Sequence, residues 1–204
     1  MAAPTHSRLV DTGRFLREFV RDPLHTAAVA PSSPALAAAM TTTVPPTGEP
    51  TVVELGPGTG AFTAAIAART GGRGRHVAIE LHPEWARLIE ERFPHVEVVQ
   101  GDVRELDAIL ADKEVPPADA VVSGLPWAAY TGPVPLHAAI GRALAPHGAF
   151  TQFAYSWTRR WAPPARAQLA DLRRHFADVA ISRTVWRNVP PAAVYEARRA
   201  RDAG

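Results

Sequence analysis

The sequence predicts an α/β fold, with a mostly parallel sheet, helices on both faces and an antiparallel hairpin at its end. Three observations support this prediction. From residue 51 onwards, short apolar runs alternate with amphipathic segments, as in successive β-α units. A glycine-rich turn follows the first apolar run. The last two apolar runs have no helical pattern between them, which is typical of a hairpin.

This alternation assigns seven strands and five helices to the main part of the chain. We expect strands at residues 51–55, 76–80, 96–100, 118–123, 149–155, 178–186 and 193–198. We expect helices at residues 62–69, 83–93, 106–110, 136–144 and 164–175, several of them bounded by glycine or proline. The turn of the terminal hairpin is wide and contains proline.

Two further helices are predicted before the first strand. Residues 9–20 place apolar side chains at helical spacing, with arginines on the other side. A second helix follows the capping pair Ser32-Ser33 and runs through residue 40. We therefore divide the chain into an N-terminal helical segment, 1–47, that caps the site or docks on a membrane, and a main domain, 48–204.

Length and composition exclude several classes of protein. A chain of 204 residues suits one domain with one core. It has no cysteine, which excludes disulfides, cysteine-based zinc sites and a thiol nucleophile, and we expect no metal. Charged residues interrupt the apolar runs near the N-terminus, and no apolar stretch is long enough to span a bilayer. We expect a cytoplasmic protein that meets a membrane only peripherally, at its inner face.

The positive charge is concentrated in the C-terminal quarter. The formal net charge of the chain is +2. Residues 158–201 contain 10 arginines and three acidic residues, a balance of +7, so the rest of the chain carries −5. Such an asymmetry is typical of a basic face for lipid headgroups or RNA, and equally of an ordinary solvated surface.

The turn after the first strand has the pattern of a nucleoside-binding loop. It reads Glu54-Leu55-Gly56-Pro57-Gly58-Thr59-Gly60, and its small residues let the backbone approach a ligand. Dinucleotide-binding loops place the third glycine three residues after the second, whereas here the interval is two. This spacing, with an acid two residues before the first glycine, favours S-adenosylmethionine (SAM) over NAD. The alternative is a tight turn that binds no ligand.

Two acidic residues end the next two strands. Glu80 lies 22 residues beyond Gly58, where a carboxylate accepts hydrogen bonds from both ribose hydroxyls, and we assign Leu81 to the same pocket. Asp102 is predicted to accept the exocyclic amine of adenine while Val103 packs on the ring. The alternatives are a surface carboxylate for Glu80 and a helix N-cap for Asp102.

The fourth strand ends where the reacting group is expected, at Ser123-Gly124-Leu125-Pro126-Trp127. We assign Ser123 and Gly124 to the cofactor side and the next three residues to the substrate side. Backbone carbonyls of this turn accept hydrogen bonds from a substrate amine, and Trp127 stacks on a base or faces a cation. The alternative is a proline-containing turn with a core tryptophan.

Two tyrosines and one histidine are candidates for handling the acceptor. Tyr130 and Tyr155 are predicted to hold the amine, and aromatic faces also stabilise a methylammonium product. His25 is a candidate base, with a histidine of no catalytic role as the alternative.

Taken together, these motifs resemble those of class I SAM-dependent methyltransferases in order and spacing. More narrowly, residues 15–198 are similar to the soluble bacterial phospholipid N-methyltransferases and their actinobacterial relatives. The matching pieces include Ala30-Pro31-Ser32-Ser33, the 54–60 loop, Ser123-Gly124-Leu125-Pro126, Gln152-Phe153-Ala154-Tyr155 and the run from Asn188 to Tyr195.

The resemblance implies a Rossmann-like fold of seven strands with a terminal hairpin and an N-terminal helical extension. It implies that Glu54, Gly56, Gly58 and Glu80 hold SAM. Family members methylate the amine of phosphatidylethanolamine at an anionic membrane, with the N-terminal helix as the docking element. This sequence departs from the family at residues 127–130, so its headgroup pocket differs.

Three functions follow as hypotheses. The first is N-methylation of a phosphatidylethanolamine-like headgroup or a small amine. The second is an rRNA adenine or small-molecule methyltransferase, but Gly124 replaces the asparagine that binds the target amine in the rRNA enzymes, which weakens the RNA interpretation. The third is a SAM-binding protein without methyl transfer.

Overall fold

The computed structural model describes residues 32–130, 135–161 and 163–201, and the α/β prediction is confirmed there. Seven strands form one sheet in the order β3-β2-β1-β4-β5-β7-β6. Their bounds are β1 Thr51–Leu55, β2 Arg75–Glu80, β3 Glu97–Gln100, β4 Ala118–Ser123, β5 Leu144–Tyr155, β6 Phe176–Ile181 and β7 Ala192–Ala200. Neighbouring strands from β3 through to β5 pair in parallel, and β7 lies antiparallel between β5 and β6.

Helices cover both faces of this sheet. They are α1 Pro34–Met40, α2 Ala61–Thr70, α3 Pro83–Arg92, α4 Leu106–Asp112, α5 Leu136–Ala143, α6 Ser156–Trp161 and α7 Pro163–His175, with 3₁₀ turns at Val103–Glu105 and Trp127–Tyr130. Side chains from α4, α5 and α7 share one apolar cluster with β1, β2, β4 and β5. Those of α1 and α2 form a second cluster with β1, β4 and β7. β1 is buried along its whole length, as is typical of a central parallel strand covered on both faces, and this burial includes its two polar residues, Thr51 and Glu54.

The helix predicted up to residue 40 packs into the domain core. The Ser33 side chain caps α1 by accepting a hydrogen bond from the Leu36 amide at 3.1 Å, and proline occupies the first turn. Leu36, Met40 and Val44 are fully buried in the second cluster. Residues 34–44 therefore contribute to the same core as the sheet, and the domain division at residue 47 stays a prediction. The predicted helix at 9–20 and His25 lie outside the described residues.

Several elements differ from their predicted bounds. The strand β5 begins at Leu144 rather than at residue 149, and β6 begins at Phe176 rather than at residue 178. The strand expected over 178–186 ends at Ile181, because the Ser182 hydroxyl accepts the Val194 amide at 2.9 Å and takes the place of a strand carbonyl. A helix that was not predicted, α6, follows β5 directly. Within the described residues, no helix has the length and apolar character needed to cross a bilayer.

Candidate functional site

The candidate site lies where the sheet changes direction, at the carboxyl ends of β1 and β4. The strand order runs outwards from this pair, so the loops after the two strands leave on opposite sides and open a crevice between them. Backbone hydrogen bonds join the neighbouring loops: Gly124 N donates to Leu55 O at 2.8 Å, and Gly56 N donates to Ile79 O at 2.9 Å. Gly101 N donates to Glu80 O at 2.9 Å, so the ends of the first four strands form one connected rim.

Glycine occupies two positions where these loops touch. A Cβ on Gly124 would lie 2.5 Å from the Gly56 carbonyl oxygen, and a Cβ on Gly56 would lie 2.7 Å from Leu125 Cδ2. The Gly124 contact is with the backbone and leaves no room for a side chain. At Gly56 the contact is with the end of the Leu125 side chain, and glycine is favoured there by its φ of +67°, in the left-handed region. The sequence assigned both residues to the site, and the structure brings them together.

Gly58 differs because the space beside it is open. Its φ is +52°, in the left-handed region, yet a Cβ built there would meet nothing within 4 Å. The side of Gly58 on which a side chain would lie is therefore open, and a ligand can approach the loop there. Gly60 has a φ of +84° and occupies the N-cap of α2, while Pro57, directly before Gly58, is buried.

Glu80 orients this open loop. One carboxylate oxygen, Oε2, accepts from Gly58 N at 3.1 Å, and the other, Oε1, accepts from His82 N at 3.0 Å. Glu80 is only 6% exposed, whereas Leu81, the next residue, is 56% exposed. A carboxylate suits the hydroxyl groups of a ribose, and an exposed apolar side chain suits contact with a flat base. The residues present therefore fit the nucleoside part of SAM.

Asp102 adopts the capping arrangement that was the alternative for it. Its Oδ1 accepts from Arg104 N at 2.9 Å, and its carboxylate forms an ion pair with the Arg104 guanidinium. The hydrogen bond from the Arg104 side chain lowers the pKa of Asp102 below its usual value, partly against desolvation. The Val103 side chain packs partly buried against the first apolar cluster. Contact of Asp102 and Val103 with adenine stays a prediction.

Glu54 is completely buried behind the glycine loop. Its Oε1 accepts from the Thr63 hydroxyl on α2 at 3.1 Å, and its Oε2 lies 3.1 Å from His76 Nε2 on β2. These contacts tie the strand before the loop to the helix after it. They give Glu54 a place in supporting the loop, and direct contact with the cofactor stays a prediction.

At the end of β4, Ser123 and Tyr130 are joined by a short hydrogen bond. The two hydroxyl oxygens are 2.5 Å apart, and Leu125 N donates to the Ser123 hydroxyl at 3.3 Å. Burial raises the pKa of the Tyr130 phenol above its usual value, and the bond to Ser123 opposes the shift. Tyr130 therefore remains a neutral phenol and fixes the turn that carries Leu125 and Pro126.

Tyr155 belongs to a different environment. It packs edge-on against Phe153, with ring centroids 5.4 Å apart, in the second apolar cluster rather than the first. Burial raises the pKa of Tyr155 to about 12. The structure thus places the two predicted tyrosines in different clusters. The side chain of Trp127 lies outside the described part of the chain.

A buried polar network next to Tyr130 was not anticipated from the sequence. His137 on α5 is fully buried; its Nδ1 lies 2.7 Å from an Asp171 carboxylate oxygen, and its Nε2 lies 3.3 Å from Gln152 Oε1. Its ring stacks on Tyr130 at 4.6 Å between centroids and 16° between planes. Gln168 Nε2 donates to the same Gln152 oxygen at 3.1 Å. The sequence signal for this network is a polar residue at an otherwise apolar position, His137 in α5 and Gln152 in β5.

Burial lowers the pKa of His137, against the opposing hydrogen bonds to Asp171 and Gln152. A neutral ring that donates from Nδ1 to Asp171 leaves Nε2 as an acceptor, which calls for the amide nitrogen of Gln152 in place of its oxygen. The Gln168 amide must then turn as well, so that its buried oxygen, which has no partner among the described residues, accepts from Gln152. Gln152 Nε2 is buried and has no other partner among the described residues. The network is therefore suited to an uncharged imidazole that holds the Tyr130 ring.

Comparison with known proteins decides the class of this site. The family model described as "Methyltransferase domain" matches residues 52–148. An ornithine lipid N-methyltransferase from Singulisphaera acidiphila is 35% identical over 195 residues, covering 93% of this chain and 96% of the relative. The chain belongs to the class I SAM-dependent methyltransferases.

Solved structures show the same methyltransferase fold at low identity. Human methyltransferase-like protein 13, in complex with SAH, has a TM-score of 0.59 at 16% identity, with 83% of this chain and 81% of that chain covered. Precorrin-6y C5,15-methyltransferase from Geobacter metallireducens GS-15 also has a TM-score of 0.59, at 14% identity, with 81% and 87% covered. The predicted Rossmann-like fold and the predicted cofactor, SAM, are both confirmed for this methyltransferase. In residues 32–130, 135–161 and 163–201, no group of three or more histidine or acidic side chains could hold a metal ion.

Gly58 provides a test of where this methyltransferase binds its cofactor. Gly58→Ala adds a methyl group at a left-handed position that faces open space, and Gly48→Ala does the same before β1, at φ +79°. Both variants should lose about 1 kcal/mol of unfolding free energy, because left-handed backbone is strained for alanine. Only Gly58→Ala should also weaken binding of S-adenosylhomocysteine (SAH), by ~10-fold or more as a contact is blocked, in isothermal calorimetry. Equal SAH affinities in the two variants would place the cofactor elsewhere.

His137 provides a test based on pH. Its folded pKa is lowered, so the unfolded chain binds the proton more tightly, and stability falls as the pH drops below the unfolded value of about 6.5. His137→Gln should remove this part of the acid-side loss in urea titrations from neutral to acidic pH. His147→Gln is the matched control, since His147 pairs with Asp119 at the same 2.7 Å on the exposed surface. The prediction fails if His147→Gln flattens the profile and His137→Gln leaves it unchanged.

Proposed function

We propose that this methyltransferase transfers a methyl group from SAM to the amine nitrogen of a membrane lipid headgroup. The observation that supports the proposal best is the relative named as an ornithine lipid N-methyltransferase, because the similarity covers 93% of this chain. It extends well beyond residues 52–148, which match the general methyltransferase model. The segments on both sides of that core are therefore shared with a lipid-modifying enzyme.

The name of this relative changes the preferred acceptor. The resemblance seen in the sequence implied a phosphatidylethanolamine-like headgroup, whereas the relative acts on an ornithine lipid. Both acceptors present a primary amine close to an anionic group at a bilayer surface. We therefore propose an aminolipid as the substrate class, with ornithine lipid first and phosphatidylethanolamine second.

In this proposal the cofactor is held by the glycine loop and the two acids of the strand ends. Gly56, Gly58 and Gly60 let the backbone approach the amino-acid end, Glu80 accepts from the ribose, and Leu81 covers the base. Pro57, Val103 and Asp102 complete this side, with Glu54 supporting the loop from inside. When bound, SAM supplies an activated methyl group on a sulfonium, so the protein contributes mainly orientation and exclusion of water.

The acceptor amine would lie at the end of β4. It must be unprotonated to attack in line with the departing sulfur, because the nitrogen lone pair forms the new bond. Carbonyl oxygens of Gly124 and Leu125 accept its N–H groups, and the bond between Ser123 and Tyr130 keeps this turn in place. We assign Pro126, Trp127 and Tyr155 to recognition of the headgroup. The buried His137 positions Tyr130 and does not receive the proton, which passes to water.

The direct test uses the full chain, methyl-labelled SAM and four separate acceptors: ornithine lipid, phosphatidylethanolamine, an rRNA fragment and free ethanolamine. We expect label in the extracted lipid, with ornithine lipid the better substrate, and formation of SAH only when lipid is present. Label in the RNA fragment, or equal turnover of free ethanolamine and lipid, would contradict the proposal. Absence of turnover with all four, while SAH still binds, would support a SAM-binding protein without methyl transfer.

A further inference from the structure

The loop between β6 and β7 lies at the same edge of the sheet as the candidate site. Ala192, the first residue of β7, pairs with Tyr155, the last residue of β5. Because β5 runs parallel to β4, the ends of both strands face the same side. Residues 182–191 therefore stand next to the mouth of the crevice, and we call them the rim loop.

Hydrogen bonds hold the rim loop in a defined shape. Asn188 is 3% exposed; its Oδ1 accepts from Ser33 N at 2.9 Å, and its Nδ2 donates to Pro190 O at 2.7 Å. At its two ends, Val185 N donates to Ala192 O at 2.7 Å and Ser156 N donates to Pro191 O at 2.8 Å. The loop is thus fastened to the start of α1 and to the end of β5.

This fastened loop nevertheless presents large apolar side chains to solvent. Trp186 is 76% exposed and Val189 is 64% exposed. The other exposed large hydrophobic side chains among the described residues are Leu81, at 56%, and Ile181, at 37%; Ile181 ends the strand that leads into the loop. An anchored loop that holds its apolar residues outwards is typical of a surface that is covered when the protein works.

The charged residues of the rim loop are of one sign. Arg183 and Arg187 flank Trp186, both are exposed, and the loop contains no acidic residue. No hydrogen bond or ion pair of their guanidinium groups occurs among the described residues. By contrast, two arginines of β7 are paired: Arg198 with Glu196 in the same strand, and Arg199 with Asp178 in β6. The two arginines of the loop are therefore available for an anionic partner.

We propose that the rim loop docks this protein on an anionic lipid bilayer. An indole and an aliphatic side chain between two arginines match the interface of a membrane, where tryptophan lies at headgroup level and arginines meet phosphates. Aromatic and basic residues also fit RNA, but the outward Val189 has no role in binding nucleic acid. Docking here would bring the crevice to the lipid surface. The role of this docking rests on the proposed lipid acceptor, whereas binding of the loop to a bilayer does not depend on methyl transfer.

The test is co-sedimentation with two kinds of vesicle, phosphatidylcholine alone and phosphatidylcholine mixed with phosphatidylglycerol. The full chain should bind the mixed vesicles more tightly, and increasingly so at low salt. Arg183→Gln with Arg187→Gln should weaken binding to them roughly 30-fold, at about five-fold for each arginine. Trp186→Ser with Val189→Ser should weaken binding to both kinds of vesicle, by roughly 10-fold on the mixed ones.

A matched control removes the same charge at the opposite edge. Arg73 and Lys113 are exposed and precede β2 and β4, and substitution of both by glutamine should leave vesicle binding within about two-fold, since only charges near the bilayer contribute. Wild-type binding by the rim-loop variants would overturn the proposal, whatever the N-terminal segment contributes. Loss of RNA affinity in these variants, with vesicle binding retained, would assign the loop to nucleic acid instead.

Methylation of lipid dispersed in detergent separates this inference from the proposed function. The rim-loop variants should retain wild-type turnover there, because no bilayer is needed. If the wild type binds vesicles through the loop but methylates no lipid, the docking stands and the acceptor assignment fails. If lipid is methylated while the loop variants bind vesicles as the wild type does, only the docking fails.

Discussion

The candidate site depends on one carboxylate that holds a glycine loop open. Glu80 accepts from the amides of Gly58 and His82, so the end of β2 fixes the loop after β1. Gly56 and Gly124 then let the loop after β4 close against the loop after β1. A Cβ on Gly124 would lie only 2.5 Å from the Gly56 carbonyl oxygen. Beside these contacts the crevice is open at Gly58, and the Leu81 side chain is exposed.

The acceptor side is built differently, from a hydrogen-bonded stack rather than from glycine turns. Ser123 and Tyr130 fix the β4 end, and His137 with Asp171 fixes Tyr130 from behind. An unpaired polar group in such a buried place costs roughly 1–3 kcal/mol, so a network of this kind specifies one arrangement of the turn. In the proposed function, the methyltransferase combines a backbone cradle for the cofactor with a side-chain scaffold for the acceptor.

The sequence predicts the cofactor side because its requirements are local. Glycine spacing and an acid at a strand end follow from chain geometry, so the sequence pattern is enough to single out Gly56, Gly58 and Glu80 as candidates. The structure joins Gly58 to Glu80 by a hydrogen bond, and the contact of these residues with the cofactor stays a prediction. It does not predict the His137 network, since contacts between α5, β5 and α7 join residues 15 to 34 positions apart that no local pattern connects. The end of β6 is predicted too late for a related reason, because side-chain hydrogen bonds replace regular strand pairing after Ile181. The Ser182 hydroxyl accepts from Val194 N, and Asn188 Oδ1 accepts from Ser33 N. For Asp102, local reasoning leaves two roles open, and its contacts favour the cap.

Calorimetric titration with SAH tests the central claim most directly, comparing the wild type with Glu80→Gln and with Glu97→Gln. Glu97 pairs with Arg75 at the start of the neighbouring strand, away from the crevice, and serves as the matched control. We expect one SAH per chain in the wild type, unchanged affinity in Glu97→Gln, and a loss of about 10- to 100-fold in Glu80→Gln, as removal of a charged hydrogen-bond acceptor predicts. Wild-type affinity in Glu80→Gln would contradict the account.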